Sequence, residues 1–169
     1  MPRTASCASS KCRRAADSIA LLPPRSTIFI SYRSSDGAEC ARLLHEAFSA
    51  REIRAFLAPG HFAVGEVFPE QLRRRIAQAR IFVLVLTPDA LAALADRGSW
   101  VAREVAHARQ LGKRFAIVRV RVPPLTRAVL PDDFQHLADL HSVELKSEAY
   151  FDAMMEELSA GVGTSLPGL

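Results

Sequence analysis

The chain is poor in the residues that would build a cross-linked or metal-held fold. It has 169 residues and three cysteines. Cys7 and Cys12 are spaced too widely for a CxxC pair, and Cys40 falls in a helical pattern. Such a set supplies neither a disulfide framework nor a zinc site, and it fits a reducing compartment. Long apolar runs are missing as well. None approaches the roughly 20 residues that span a bilayer. The early "IALL" is too short for a secretory signal and is followed by prolines. These absences lead to the expectation of a soluble, cytoplasmic protein with no membrane partner. Three fingerprints are also lacking: GxGxxG after the first strand, GxxxxGKS or GxxxxGKT, and GxSxG. A dinucleotide-binding turn, a P-loop and a nucleophile elbow are thereby excluded.

A net charge of +4 hints at nucleic acid until it is divided along the chain. Residues 1–25 carry Arg3, Lys11, Arg13, Arg14 and Arg25 against Asp17, and the remainder carries 17 residues of each sign. The whole excess therefore sits in a Ser/Ala/Arg-rich leader, read as disordered and free to touch phosphates without specificity. Specific nucleic-acid binding is not expected. The folded domain is expected over 26–159, and "SAGVGTSLPGL" makes 160–169 linker-like.

Between these ends, apolar runs alternate with helical patterns. Strands are expected at 27–32, 53–58, 80–87, 114–120 and 141–145. Helices are expected at 36–50, with Asp36 as N-cap, along the stripe Phe68, Leu72, Ile76 and Ala79, and at 99–113, ended by Gly112. Shorter ones are expected within 88–99, at 133–140, and at 147–158 with Ser147 as its cap. "RIFVLVLT" shows no alternation, as a central strand covered on both faces would. The order predicts an α/β fold in three layers: a five-stranded parallel sheet, flavodoxin-like in the order 2-1-3-4-5, with helices on both faces. Ligands gather at the carboxyl ends of such strands.

Polar residues near those ends are the candidates. Arg33 offers a guanidinium fork to a phosphate, or simply caps a strand at the surface. His61 lies on a loop, and position alone gives it no role. Trp100 and Glu104 stand four apart on a helix, a rotation of about 40°, so their side chains are neighbours. The pair could hold a planar base and present charge to the attached sugar. It could equally be a half-buried indole under an exposed glutamate, and spacing leaves both open. Glu104 and His107 form an ExxH pair, but di-iron bundles need two such pairs and further glutamates. No metal is expected.

Taken together, "TIFISYRSSDG", "IRAFLAPGHFAVGEVFPEQLRRRIAQARIFVLVLTP" and "SWVAREVAHARQLGKRFAIV" resemble a Toll/interleukin-1 receptor (TIR) domain. The match is carried by "FISY", "GEVF" and W-x-x-x-E in order, from about Thr27 to Val120, and the remainder to about Leu158 agrees in element order. The likeness is greatest to the enzymatic, NAD+-cleaving branch. It implies NAD+ as substrate, no cofactor, and Glu104 as the catalytic residue. Tyr32, Arg33, Phe68 and Trp100 are implied as substrate contacts. Pro59, Gly60, His61, Phe62 and Gly65 fall in the loop through which TIR domains self-associate. Ala58 and Pro59 stand where an acidic residue often follows the second strand. The resemblance further implies nicotinamide and ADP-ribose, or a cyclic ADP-ribose, as products, and a role in bacterial antiphage defence, with a sensor domain as a conceivable partner. A TIR–TIR interaction module without catalysis, or an effector that interferes with host TIR signalling, is the competing implication.

Overall fold

A computed structural model describes residues 27–58, 70–140 and 142–146, with 151–153 and 155–156 beside them. The strands are β1 (Thr27–Ser31), β2 (Arg54–Leu57), β3 (Ile81–Leu86), β4 (Arg114–Arg119) and β5 (Ser142–Glu144). They pair in the order β2-β1-β3-β4-β5, parallel at every step. This is the expected order. The α-helices are α1 (Ala38–Ala50), α2 (Glu70–Gln78), α3 (Pro88–Ala95) and α4 (Trp100–Gln110). Two 3-10 segments follow β4, Arg127–Val129 and Asp132–Asp139, and the second takes the place of the short helix expected at 133–140. Residues 151–153 and 155–156 are helical, whereas Ser147 lies outside the described residues.

The lack of alternation in β3 has a simple cause. All six of its residues are buried, because both faces of the sheet are covered. Side chains alternate between faces with a period of two. Phe82, Leu84 and Leu86 enter one core with Phe29, and with Leu72 and Ile76 of α2, Leu94 of α3 and Val105 of α4. Val83 and Val85 enter the other with Ile28, Ile30, and Leu44 and Phe48 of α1. Phe29 stacks on Phe82 at 5.5 Å between ring centroids, directly across the β1–β3 pairing.

The same alternation places β1's last residue. Ser31 shares the face of Phe29, so it points toward α4, although it is a hydroxyl and fully buried. The chain then turns back. The Gly37 N–H donates to the Arg33 carbonyl at 2.8 Å, and a Cβ at position 37 would lie 2.9 Å from that oxygen. Only glycine fits this close approach without a shift.

Asp36 corrects one expectation. It caps no helix of its own: α1 starts with Gly37 as N-cap and with no side-chain bond. Asp36 instead reaches across to α3. Its carboxylate accepts from the Thr87 hydroxyl at 2.6 Å and from the Asp89 N–H at 3.0 Å. Thr87, fully buried, is the N-cap of α3 and accepts in turn from the Ala90 N–H at 3.2 Å. The carboxylate thus sits at the positive end of α3 and joins the loop after β1 to the loop after β3. Asp36→Ala is expected to destabilise the domain by about 1–2 kcal/mol, the cost of a lost N-terminal cap. Chemical denaturation checks this: an unchanged midpoint would show that the tie contributes nothing.

Candidate active site

Helix α4 carries the site, and its sequence explains where it starts. Ser99 is the N-cap, its hydroxyl accepting from the Ala102 N–H at 3.2 Å and donating to the Ala93 carbonyl at 2.6 Å. That second bond fixes α4 against the end of α3. Gly112, at φ +62°, closes the helix, and the Lys113 N–H returns to the Ala108 carbonyl at 2.9 Å. Val101, Val105 and Ala108 face the core as their spacing predicts.

Glu104 lies at the edge of that apolar stripe and is buried, 2 % exposed. The Ser31 hydroxyl donates to its Oε2 at 2.6 Å, joining residues 73 apart in sequence. Removal from water pushes the carboxyl up to about 8, and the bond from Ser31 pulls in the opposite direction. In the ligand-free fold the group is therefore mostly uncharged at neutral pH. Tyr32, half-buried beside it, has its phenol raised above the ordinary value by burial and then by the charge of Glu104. Of the picture of a half-buried indole under an exposed glutamate, the indole is as drawn and the glutamate is not, since Glu104 is buried. It is a shielded carboxyl whose ionisation depends on what stands beside it.

The remaining candidates divide. Trp100 is half-buried against the core, and the Arg103 guanidinium lies over its ring at 5.5 Å. Arg33 is solvent-exposed on the loop after β1. Phe68, Pro59, Gly60, His61, Phe62 and Gly65 lie outside the described residues. For His107, burial and then the charge of Arg73 lower its pKa, and its side chain hydrogen-bonds Gln110. Ser31 is the functional candidate that motif reading passes over. The signal for it was present, because a period of two puts Ser31 on the face of Phe29.

A sheet in this order, closed at the carboxyl end of β1 by a buried glutamate on α4, defines a class, and comparison with known proteins gives the family. The profile of the TIR domain matches residues 28–159, and the chain belongs to the TIR family. It is 33 % identical over 139 residues to NAD(+) hydrolase sarm1 of Drosophila melanogaster, spanning 78 % of this chain and 10 % of that protein. It is 33 % identical over 90 residues to NAD(+) hydrolase tir-1 of Caenorhabditis elegans, spanning 52 % and 9 %. The chain thus matches about a tenth of the length of these relatives. In structure it is similar to the TIR domains of the activated Roq1 resistosome, with a TM-score of 0.62 at 13 % identity, covering 81 % of this chain and 99 % of that one.

The ionisation of Glu104 has a consequence for stability. Unfolded, its carboxyl titrates near 4.5, and folded near 8. Between those values the folded chain holds a proton that the unfolded chain has lost. Stability associated with the neutral group is complete below pH 4.5 and declines as pH rises to about 8. Glu104→Gln keeps the shape and removes the titration. It is expected to melt higher than the parent, by a margin that widens from pH 5 to pH 8. Ser31→Ala, which removes the lowering bond, is expected to extend the decline to higher pH. Thermal melts across this range check both, and a pH-independent margin would rule out a buried titrating carboxyl.

Proposed function

We propose that this TIR domain cleaves NAD+ between nicotinamide and ribose, with Glu104 as the catalytic residue. The observation that carries this is the buried Glu104 carboxyl, held by Ser31 at the carboxyl end of the sheet. The likeness to two proteins named as NAD(+) hydrolases supports it.

The chemistry suits a single carboxylate. Ordinary glycoside hydrolysis needs an acid to protonate the leaving oxygen. In NAD+ the bond from ribose C1′ to the pyridinium nitrogen breaks with its electron pair going to that nitrogen. Nicotinamide leaves neutral and needs no proton. Positive charge then develops on the ribose, and a carboxylate facing it stabilises the transition state more than the ground state. Water adds at C1′ and releases a proton, giving ADP-ribose, or a nucleophile within the nucleotide closes a cyclic ADP-ribose. A pyridinium beside Glu104 also favours its charged form, so substrate binding itself ionises the group. Tyr32 and Trp100 offer aromatic contacts, and Arg33 and Phe68 complete the proposed substrate set. With Glu104 2 % exposed, a ligand reaches it only when a neighbouring group gives way, which fits activity that depends on self-association. Consumption of NAD+ in this way would serve defence by depletion or by signalling.

Nicotinamide release from NAD+ tests the proposal. Glu104→Gln is expected to lower the rate roughly 100- to 1,000-fold, equivalent to about 3–4 kcal/mol. The parent's kcat/KM is expected to rise with pH and to level off near 8, where the free carboxyl ionises. Equal rates for parent and variant would move the chemistry elsewhere. A silent parent, even at high concentration, would favour a TIR–TIR interaction module without catalysis.

A further inference from the structure

Behind α4, on the side away from Glu104, lies a cavity of about 540 Å³. At 100° per residue, Ala102 and Ala106 sit on average about 180° around the helix from Glu104. Its floor is apolar, made by Ala102, Ala106 and, from the second 3-10 segment, Phe134. Ala102 and Phe134 are buried. Its rim carries Arg97, Arg103 and Arg109.

Asp133 supplies the one carboxylate among the lining residues. Arg97 engages that carboxylate at 2.7 Å, and Arg109 donates to the Asp133 backbone carbonyl at 2.8 Å. Three guanidinium groups thus line the cavity beside one carboxylate. The volume falls within the roughly 300–1,000 Å³ typical of small-molecule sites. Guanidinium forks match phosphate oxygens, and an apolar floor suits a planar or aliphatic body.

We propose that this cavity binds a phosphate-bearing small molecule of nucleotide size, its phosphates on the three arginines and its apolar part on the floor. Arg103 connects this cavity to the other side of the helix. It lines the cavity, and its guanidinium also lies over the Trp100 indole. An anion that draws Arg103 inward takes it off the ring, so occupancy changes the setting of the aromatic residue in the candidate active site. The binding stands apart from NAD+ cleavage and can be measured without it.

Trp100 is the only tryptophan of the chain, so its emission reports the position of Arg103. The full chain is titrated at low ionic strength with ADP, and with adenosine as the uncharged control, by calorimetry and by tryptophan fluorescence. ADP is expected to bind saturably with a change in emission, and adenosine about tenfold or more weaker, the loss of a charge-assisted contact. Arg97→Gln/Arg109→Gln is expected to weaken ADP binding by about tenfold or more. Ala106→Leu, which fills the floor, is expected to do the same without touching charge. In Arg103→Gln the residual binding no longer moves the emission. The proposal is overturned by absence of saturable ADP binding in the millimolar range, or by affinity unchanged in both cavity variants. It is overturned equally if Arg33→Gln alone abolishes binding, which would place the nucleotide in the active site.

Discussion

Taking a carboxyl out of water costs several kcal/mol unless the group stays neutral or meets an opposite charge. Among the described residues Glu104 meets no cation, and it is shielded from solvent. The Ser31 hydroxyl donates to it and lowers its proton affinity, while burial raises it by more. The site is thus arranged around a carboxyl whose surroundings favour the neutral form. A cationic ligand offsets that cost inside the site, as water does for an exposed carboxylate. The NAD+ pyridinium has the required charge before the bond breaks, and the ribose acquires it during the break. In the proposed reaction one carboxyl would serve both binding and the transition state, with no acidic partner.

The rest of the fold supplies what this arrangement requires. A parallel sheet covered on both faces gives a rigid, dry wall, and its period of two aims Ser31 at α4. Ser99 fixes the start of α4 against α3, and Asp36 fixes α3 against the loop that carries Tyr32 and Arg33. The shielded carboxyl and its donor are held by elements far apart in sequence, which keeps them in place against the electrostatic cost.

Much of this was legible in the sequence, for physical reasons. The unbroken apolar run of β3 reports coverage on both faces, and alternation of short strands with helices leaves few parallel topologies, so the sheet order follows. Trp100 and Glu104 were marked out by spacing and by the resemblance to TIR domains. What spacing could not show was long-range pairing. Asp36 stands where an N-cap belongs, yet its partners lie 51 and 53 residues away. Glu104 sits roughly 70° from the centre of the buried stripe of α4, a position that helical periodicity alone leaves between surface and core. Its partner Ser31, 73 residues distant, settles it inside. The short helix expected at 133–140 became a 3-10 segment after a proline-rich stretch, a distinction that apolar periodicity over eight residues does not carry.

The central claim is that Glu104 is neutral in the free domain and is ionised by a cationic ligand. Carbon-13 NMR of the glutamate side-chain carboxyls, with Glu104 assigned through Glu104→Gln, measures this directly. The account predicts a titration midpoint near 8 in the free protein, falling when a non-cleavable carbocyclic NAD+ analogue is bound. A midpoint near the ordinary 4.5, unmoved by the analogue, would contradict it.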